Sequence, residues 1–475
     1  MKLHNKSKLV FAVIAISVFF CCKTEHSHKK QKSSDHSTQS YVLAFPGAEG
    51  FGKYAKGARA VKKPEVYKVT NLNDSGEGSF REAVSKPGRF VVFTVSGIIH
   101  LKSQITVKEN ITIAGQTAPG DGVMFYGNKI SFTGANETIA RYLRIRCGQP
   151  EQLSKNTDAS GISNGKNIIL DHLSVYWGLD EVLSINWNKN KKGFEPDSIT
   201  IQNSIIAQGL HYFNHSAGGL IQSENGHISI IKNLYASNKT RNPKVKGKNE
   251  YVNNIIYNFG NLGNPKGHTV SGAAYIMGGS AMVSKANIIN NYFISGPLTP
   301  NTFKTPFSRG TSTFHLFAEG NYFDNNKNGE LDGKLITEDT LSYPGIVKLR
   351  TKPFDYPYLK SALSAKKAFQ HVQNKVGANL PKRDEIDSLI ISELTSLGKK
   401  GLYVYTEEDL PFSNNGLGNY SNAIVPKDSD NDGIPDKWEN NNDLNKNDPT
   451  DALEYSSINT GYLNIEIYLN SLVDL

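Results

Sequence analysis

Lys239-Thr240-Arg241-Asn242-Pro243-Lys244-Val245-Lys246 puts four cations into eight residues, with a proline that forbids regular structure. It lies between two strand-like runs, Ile228 to Ile231 and Val252 to Tyr257. The residue before a proline is pushed to extended geometry, so Arg241 and Lys246 are expected to stand apart on a stiff basic loop. Such a loop suits an acidic ligand, although charge runs are usually just solvated turns.

A second stretch carries metal chemistry. Between Asp428 and Glu439, Asp428, Asp430, Asp432, Asp436 and Glu439 occupy positions 1, 3, 5, 9 and 12, with Gly433 at position 6. That is the calcium-loop grammar of an EF-hand-like or thrombospondin-type-3-like segment. The glycine permits the sharp turn, and carboxylates this crowded need a cation. Asn445, Asn447, Asp448 and Asp451 can extend the site. No acid, base or nucleophile is interleaved, so the expected role of this calcium is structural.

Composition bounds the partners. The chain has 475 residues, 38% hydrophobic and 20% charged, ordinary values for a soluble globular protein. A formal net charge of +9 favours an anionic partner: polyuronate, nucleic acid or a membrane surface. No zinc-finger spacing, Walker loop or RNP-like segment is present, which argues against nucleic acid.

The N-terminus reads as an export signal. Lys2, Lys6 and Lys8 precede a twelve-residue apolar run, Leu9 to Phe20, too short to span a bilayer comfortably. Cys21-Cys22 follows, as in a bacterial lipoprotein signal, with Cys22 the preferred lipidation site; an ordinary secretory signal is the alternative. Residues 23–40 are polar and read as a tether. Cys147 is the only other cysteine, so no disulfide framework is possible in the mature body.

The elements that must position these groups are short strands. From Phe90 onward, apolar runs rich in β-branched residues recur between Gly- and Asn-rich turns, as in Val91 to Val95, Ile168 to Leu170 and Ile199 to Ile201. A small turn motif repeats at 172, 203, 233, 254, 291 and 321, often as Asn. Its variable spacing predicts an all-β parallel solenoid with loops of different length leaving each coil. The Asn tolerates left-handed geometry and can bond its neighbours above and below. A β-sandwich is the competing architecture, but it predicts hairpin dipeptides, and few are present. Ser79 to Val84 reads as a short capped helix able to close one end of the stack. Leu359 to Val376 and Arg383 to Leu397 carry helical spacing and are expected to cover a sheet edge. The implied organisation is a β-helix over 41–345, a helical flank over 346–420 and a calcium segment over 421–475.

Ala44 to Gly52, Asn71 to Ala83, Ile169-Leu170-Asp171-His172, Trp177 to Glu181, Arg241-Asn242-Pro243 and the calcium loop together resemble the pectate lyases of polysaccharide lyase family 1, in the form found in Bacteroidetes. The resemblance spans roughly residues 44 to 475. It implies a right-handed parallel β-helix and calcium-dependent β-elimination of polygalacturonate. Arg241 matches the family's proton-abstracting arginine. Lys246 stands where the family has a second Arg that contacts substrate carboxylate; Lys keeps the charge but loses bidentate geometry. Asp158, Asp180 and Glu181 are the implied catalytic calcium ligands, and Asp171-His172 resembles a motif that orders a turn. Lys239, His172 and His215 are further candidates for substrate contact. The expected partner is an acidic polysaccharide, with any membrane contact through the lipid anchor and the protein a monomer.

The chemistry is demanding. Elimination removes the C5 proton of a uronate and expels the C4 oxygen. The neighbouring carboxylate must be neutralised, a base must reach C5, and the developing charge must be held. Arginine normally stays protonated, so Arg241 is either the base or a clamp on developing charge. A hydrolase would need paired carboxylates, commonly an adjacent Asp-Asp in this fold class, and the chain has no Asp-Asp dipeptide. A lyase for ulvan, glucuronan or alginate, or a non-catalytic glycan-binding β-helix, would fit the same pattern.

Overall fold

The apolar runs pair in parallel, coil upon coil. The computed structural model describes residues 41–187, 195–263, 266–279, 282–458 and 461–473. The signal, the tether and Cys22 lie outside the described residues. Each coil contributes a strand to each of three faces of a right-handed parallel β-helix. One coil runs Ser160–Ile162 on the first face, Lys166–Asp171 on the second and Ser174–Tyr176 on the third. Hydrogen bonding joins the first two faces into one 16-stranded sheet, because Leu220–Ile231 and Lys244–Val252 turn the corner and pair on both. The third face is a 10-stranded sheet ending in the one antiparallel strand described, Lys334–Leu335.

Strand alternation builds the core. On the second face Leu170, Ile201, Ile230, Tyr251 and Ile288 stand in register, and all are buried. Side chains stacked about 4.8 Å apart in this way exclude water along the whole axis. Helix Phe80–Ala83, with Ser79 Oγ accepting the Glu82 N–H at 3.3 Å, packs Phe80 against Phe125 with ring centroids 4.3 Å apart. It plugs the first coils from within.

The corner between the second and third faces holds the repeat, and the structure corrects its register. The left-handed residues are His172, Asn203, Lys232, Asn253, Asn290 and Gly320. The ladder runs one position later. Asn233 Nδ2 donates to Asn254 Oδ1 at 3.1 Å, Asn254 to Asn291 at 3.2 Å and Asn291 to Asn321 at 2.9 Å. Two adjacent positions therefore divide the two tasks expected of one: the first bends the chain and the second bonds between coils.

The expected helices are Ala365–Lys375 and Glu385–Thr395. They cover a face rather than an edge. The third sheet's outer side presents Tyr176, Ile205, Leu234, Ile255 and Tyr257, and Ala368, Phe369, Val372, Ile386 and Ile390 bury them. The C-terminal segment does the same on the second face, where Ile434, Leu463, Ile465 and Leu469 meet Phe90, Val92 and Ala114. Val42–Leu475 form a single compact unit, so these segments are layers of one body. Among the described residues no helix is long and apolar enough to cross a membrane.

Candidate active site and cation sites

The corner between the third and first faces collects the charged residues. Glu181, Ala217 and Thr240 pair as successive parallel rungs. The Ala159 N–H donates to the Glu181 carbonyl at 3.1 Å, which adds the Asp158 coil to the same stack. Asp158, the adjacent pair Asp180-Glu181, and Arg241 come from three separate stretches of chain, and the coil repeat sets them side by side. Ala217 is small and fully buried, so nothing on the intervening rung separates Glu181 from Arg241. Those two side chains form an ion pair, Arg241 Nη1 to Glu181 Oε1. Arg241 itself takes a left-handed φ of 55° at the turn.

Each carboxylate has a basic side chain beside it. Lys129 Nζ lies 2.9 Å from Asp158 Oδ2, and His215 Nε2 lies 2.9 Å from Asp180 Oδ1 and 3.9 Å from Glu181 Oε1. The Asp158 Oδ1 accepts the Glu181 N–H at 3.1 Å. Burial pushes the Asp158 carboxyl up against the pull of Lys129, whereas His215 close by holds Asp180 down. Burial also lowers Arg241, with Asp180 opposing and Arg309 reinforcing. Asp180, Glu181 and His215 present ligand atoms within 4.8 Å of one another. The two carboxylates of that group, with the Asp158 carboxylate on the adjoining rung, offer the oxygen ligands that a hard cation such as Ca²⁺ takes, while the third member is an imidazole nitrogen.

The basic stretch is not wholly a loop. Lys244–Val252 is a strand, and Val245 is buried while Lys244 and Lys246 share the outward side. Lys246 is in register with Gln222 on the neighbouring coil. Arg241 and Lys246 stand apart as expected, one at the corner and one along the face. Lys239 Nζ bonds Asn214 O at 2.5 Å and Asn214 Oδ1 at 2.8 Å, tying down the loop that carries His215. Lys129, Lys244 and Arg309 belong to this surface too. The Arg309 charge acts on both Arg241 and Lys244. Neither Lys129 nor Arg309 has a local signal, since each lies a coil or more away in sequence.

His172 is not part of this corner. It occupies the left-handed position of the other corner, with Nδ1 2.9 Å from Asp171 Oδ1 and its ring stacked on Tyr142 at 4.7 Å. Burial alone would raise the Asp171 carboxyl, but His172 and Arg141 hold it well below the usual carboxylate range. His172 thus orders a turn, beside a cavity of about 450 Å³ lined in part by Phe45, Arg141 and Lys232. The substrate contact expected of His172 is not met at the Asp158–Arg241 corner, because a one-corner offset turns its side chain to another flank.

The C-terminal loop gathers its carboxylates into two groups. Asp428, Asp430 and Asp432 converge, and Asp432, Glu439 and Asp451 form a second group sharing Asp432. Asp428 Oδ2 accepts the Gly433 N–H at 3.0 Å, and a Cβ at Gly433 would lie 2.8 Å from Val66. Both Glu439 carboxylate oxygens are buried with no hydrogen-bond partner. Burial, then the neighbouring carboxylates, push Glu439 up to about 8, and burial pushes Asp432 to about 7. Such an arrangement fits a dication. Asp436 does not join it: Oδ1 accepts the Ser429 N–H at 2.7 Å and Oδ2 faces Lys427 at 3.1 Å. Asp451 stands in its place, brought in by the chain after the short helix Asp436–Asn441.

Over 434 residues the chain is 46% identical to a probable pectate lyase C of Aspergillus flavus, covering 91% of this chain and 95% of that protein. It is 44% identical over 432 residues to the corresponding Neosartorya fischeri protein, covering 91% and 94%. The cedar pollen allergen Jun a 1 superposes with a TM-score of 0.51 at 17% identity, covering 70% of this chain and 92% of that one. A Bacillus subtilis pectate lyase mutant gives 0.50 at 14%, covering 72% and 98%. At those identities the two structures share the fold alone. No family model matches the chain. A right-handed parallel β-helix of this descent is a polysaccharide lyase. The chain belongs to the pectate lyase family.

Proposed function

We infer that this lyase cleaves pectate at the Asp158–Asp180–Glu181–Arg241 corner, by β-elimination. The observation that carries the reading is the ion pair between Arg241 and Glu181 on the rungs that also bring Asp158 and Asp180 together. The three carboxylates would hold Ca²⁺. When bound, that ion neutralises the uronate carboxylate and makes the C5 proton easier to remove. Arg241, freed from Glu181 once that carboxylate serves a cation, is the group assigned to the C5 proton. Burial lowers its pKa, which makes the neutral guanidine, the form able to take a proton, more accessible than in an exposed arginine. Lys244, Lys246 and Arg309 supply the positive wall on which neighbouring uronate carboxylates of an extended polymer seat. His215 orients Asp180, and Lys239 positions His215 through Asn214.

The test is release of unsaturated product, read by ultraviolet absorbance, from a panel of uronate polymers with calcium and with chelator. Polygalacturonate is expected to be the best substrate and chelator to abolish turnover. Arg241→Lys then tests the base: an amine with a pKa near about 10.4 should move the pH optimum down. An optimum that stays or rises would make Arg241 a charge clamp and leave the proton to another group. We also propose export with a lipid on Cys22, supported by the Lys-rich start and the apolar run before Cys21-Cys22. Metabolic labelling with palmitate, lost in Cys22→Ala, checks it.

A further inference from the structure

The last coil of the stack ends in a tight loop, Asp324 to Asp332, between the strands Tyr322–Asp324 and Lys334–Leu335. Asp324, Asn326, Asn328 and Asp332 take its first, third, fifth and ninth positions, and Gly329 the sixth. The backbone repeats that of the C-terminal calcium loop. Lys327 and Gly329 have φ of 55° and 89°, where Asn431 and Gly433 have 68° and 92° at the same fourth and sixth positions. Hydrogen bonds repeat as well. Asn326 Oδ1 accepts the Asn328 N–H at 3.0 Å and Asn328 Oδ1 accepts the Glu330 N–H at 2.8 Å. Asp430 and Asp432 accept from Asp432 and Ile434 in the same way, at 3.4 Å and 2.8 Å.

Loop shape alone is not a site. What points to a ligand is Asp324. It is 3% exposed, and its Oδ2 has no hydrogen-bond partner. A buried carboxylate oxygen without a donor is costly unless a cation meets it. The Asp332 charge acts on Asp324 across the loop, and the two Asp332 oxygens accept Asn326 Nδ2 at 2.8 Å and Asn328 Nδ2 at 2.9 Å. The loop's own lysine does not serve: Lys327 Nζ turns away to Thr299 O at 2.7 Å and Asn301 Oδ1 at 2.9 Å.

We propose that Asp324–Asp332 is a further calcium site, with side-chain oxygens of Asp324, Asn326, Asn328 and Asp332 and the main-chain carbonyl of Glu330 as ligands. It is weaker than the C-terminal site. Two Asn replace two Asp, and Leu335 stands at the twelfth position, where the other loop has Glu439. Affinity follows ligand charge, so a dissociation constant of about 10⁻⁴–10⁻³ M is expected. Its effect is on the end of the stack. The Ile336 N–H donates to the Asn321 carbonyl at 2.8 Å, so an ordered loop holds the last rung of the asparagine ladder.

Calcium binding to the full chain, without substrate, tests this by equilibrium dialysis. Terbium luminescence sensitised through Tyr292, whose buried hydroxyl feels the charge of Asp324, gives a second readout. Asp332→Ala should lose one weakly bound calcium and the matching terbium signal, while turnover at saturating calcium stays within twofold. Asn328→Asp adds a ligand charge and should tighten the weak class about tenfold. An unchanged calcium count in folded Asp332→Ala overturns the proposal. If that variant does not fold, Asn328→Asp decides: unaltered weak-class affinity overturns the site and tightening supports it.

Discussion

Asn254→Leu places an apolar side chain of similar size in the middle of the asparagine ladder, in the coil that carries Arg241 and Lys244. Asn254 is fully buried. Its Oδ1 accepts the Asn233 N–H at 3.0 Å and Asn233 Nδ2 at 3.1 Å; its Nδ2 donates to Ile230 O at 2.9 Å and to Asn291 Oδ1 at 3.2 Å. Asn291 Oδ1 keeps a donor in the Asn254 N–H at 2.8 Å, so the acceptor side is partly spared. The donor side is not. Asn233 is left with a main-chain N–H and one amide hydrogen facing leucine. Each orphaned buried donor costs about 1–3 kcal/mol, so the variant should lose about 2–6 kcal/mol. Against a native stability of about 5–15 kcal/mol that is a large fraction. Denaturant unfolding followed by far-ultraviolet circular dichroism, at constant calcium, measures it. A loss under about 1 kcal/mol would refute the argument, showing that neighbouring rungs re-pair around the gap and that the ladder adds little beyond sheet hydrogen bonding.

Glu250 supplies a pH test. Burial pushes it up to about 7, against hydrogen bonds from Ser229 Oγ at 2.5 Å and the Tyr358 N–H at 3.3 Å. The folded state holds the proton between the ordinary pKa of 4.5 and about 7 while the unfolded state has lost it. Stability therefore falls as pH rises through that window and stays lower above it, by about 3 kcal/mol. Glu250→Gln removes this penalty but weakens the Tyr358 bond, so a gain of about 2 kcal/mol at pH 8 and none near pH 4.5 is expected in denaturant titrations. At the C-terminus, Asp451→Ala should remove most of the calcium-dependent thermal stabilisation, and Asp436→Ala should retain it. Equal loss in both by calorimetry would restore Asp436 as a ligand. His172→Ala should leave KM for polygalacturonate within twofold and lower the unfolding temperature, because buried Asp171 loses one of its four side-chain partners and keeps Arg141, Gln202 and Asn203. A tenfold rise in KM would put His172 back among the substrate contacts.

The strands and the solenoid were legible because each is a local pattern, and so was the crowding of carboxylates near the C-terminus. Ile199 to Ile201 reads as a strand from its own β-branched residues. Gly433 and Glu439 read as a calcium loop from their offsets to Asp428. The helices Ala365–Lys375 and Glu385–Thr395 were visible from their periodicity, though not what they cover, since the apolar outer side of the third face is assembled from nine separate short strands. Arg241, Asp158, Asp180 and Glu181 could be named one by one from motifs, but no spacing in the chain says that they meet.

That meeting depends on register. Residues share a rung when the loops between them have the right length, and loop length varies from coil to coil here. Shifting the repeat by one residue left His172 matched to the wrong neighbours and hid the division between bending and bonding positions. Lys129 and Arg309 join the cleft only because whole coils are stacked. Asp451 displaces Asp436 because chain beyond the loop folds back onto it. Local preference for turn and strand is written in neighbouring side chains and needs nothing else. Which carboxylate faces which cation is decided by the helical rise of the coils, a property that exists only once they have closed upon each other.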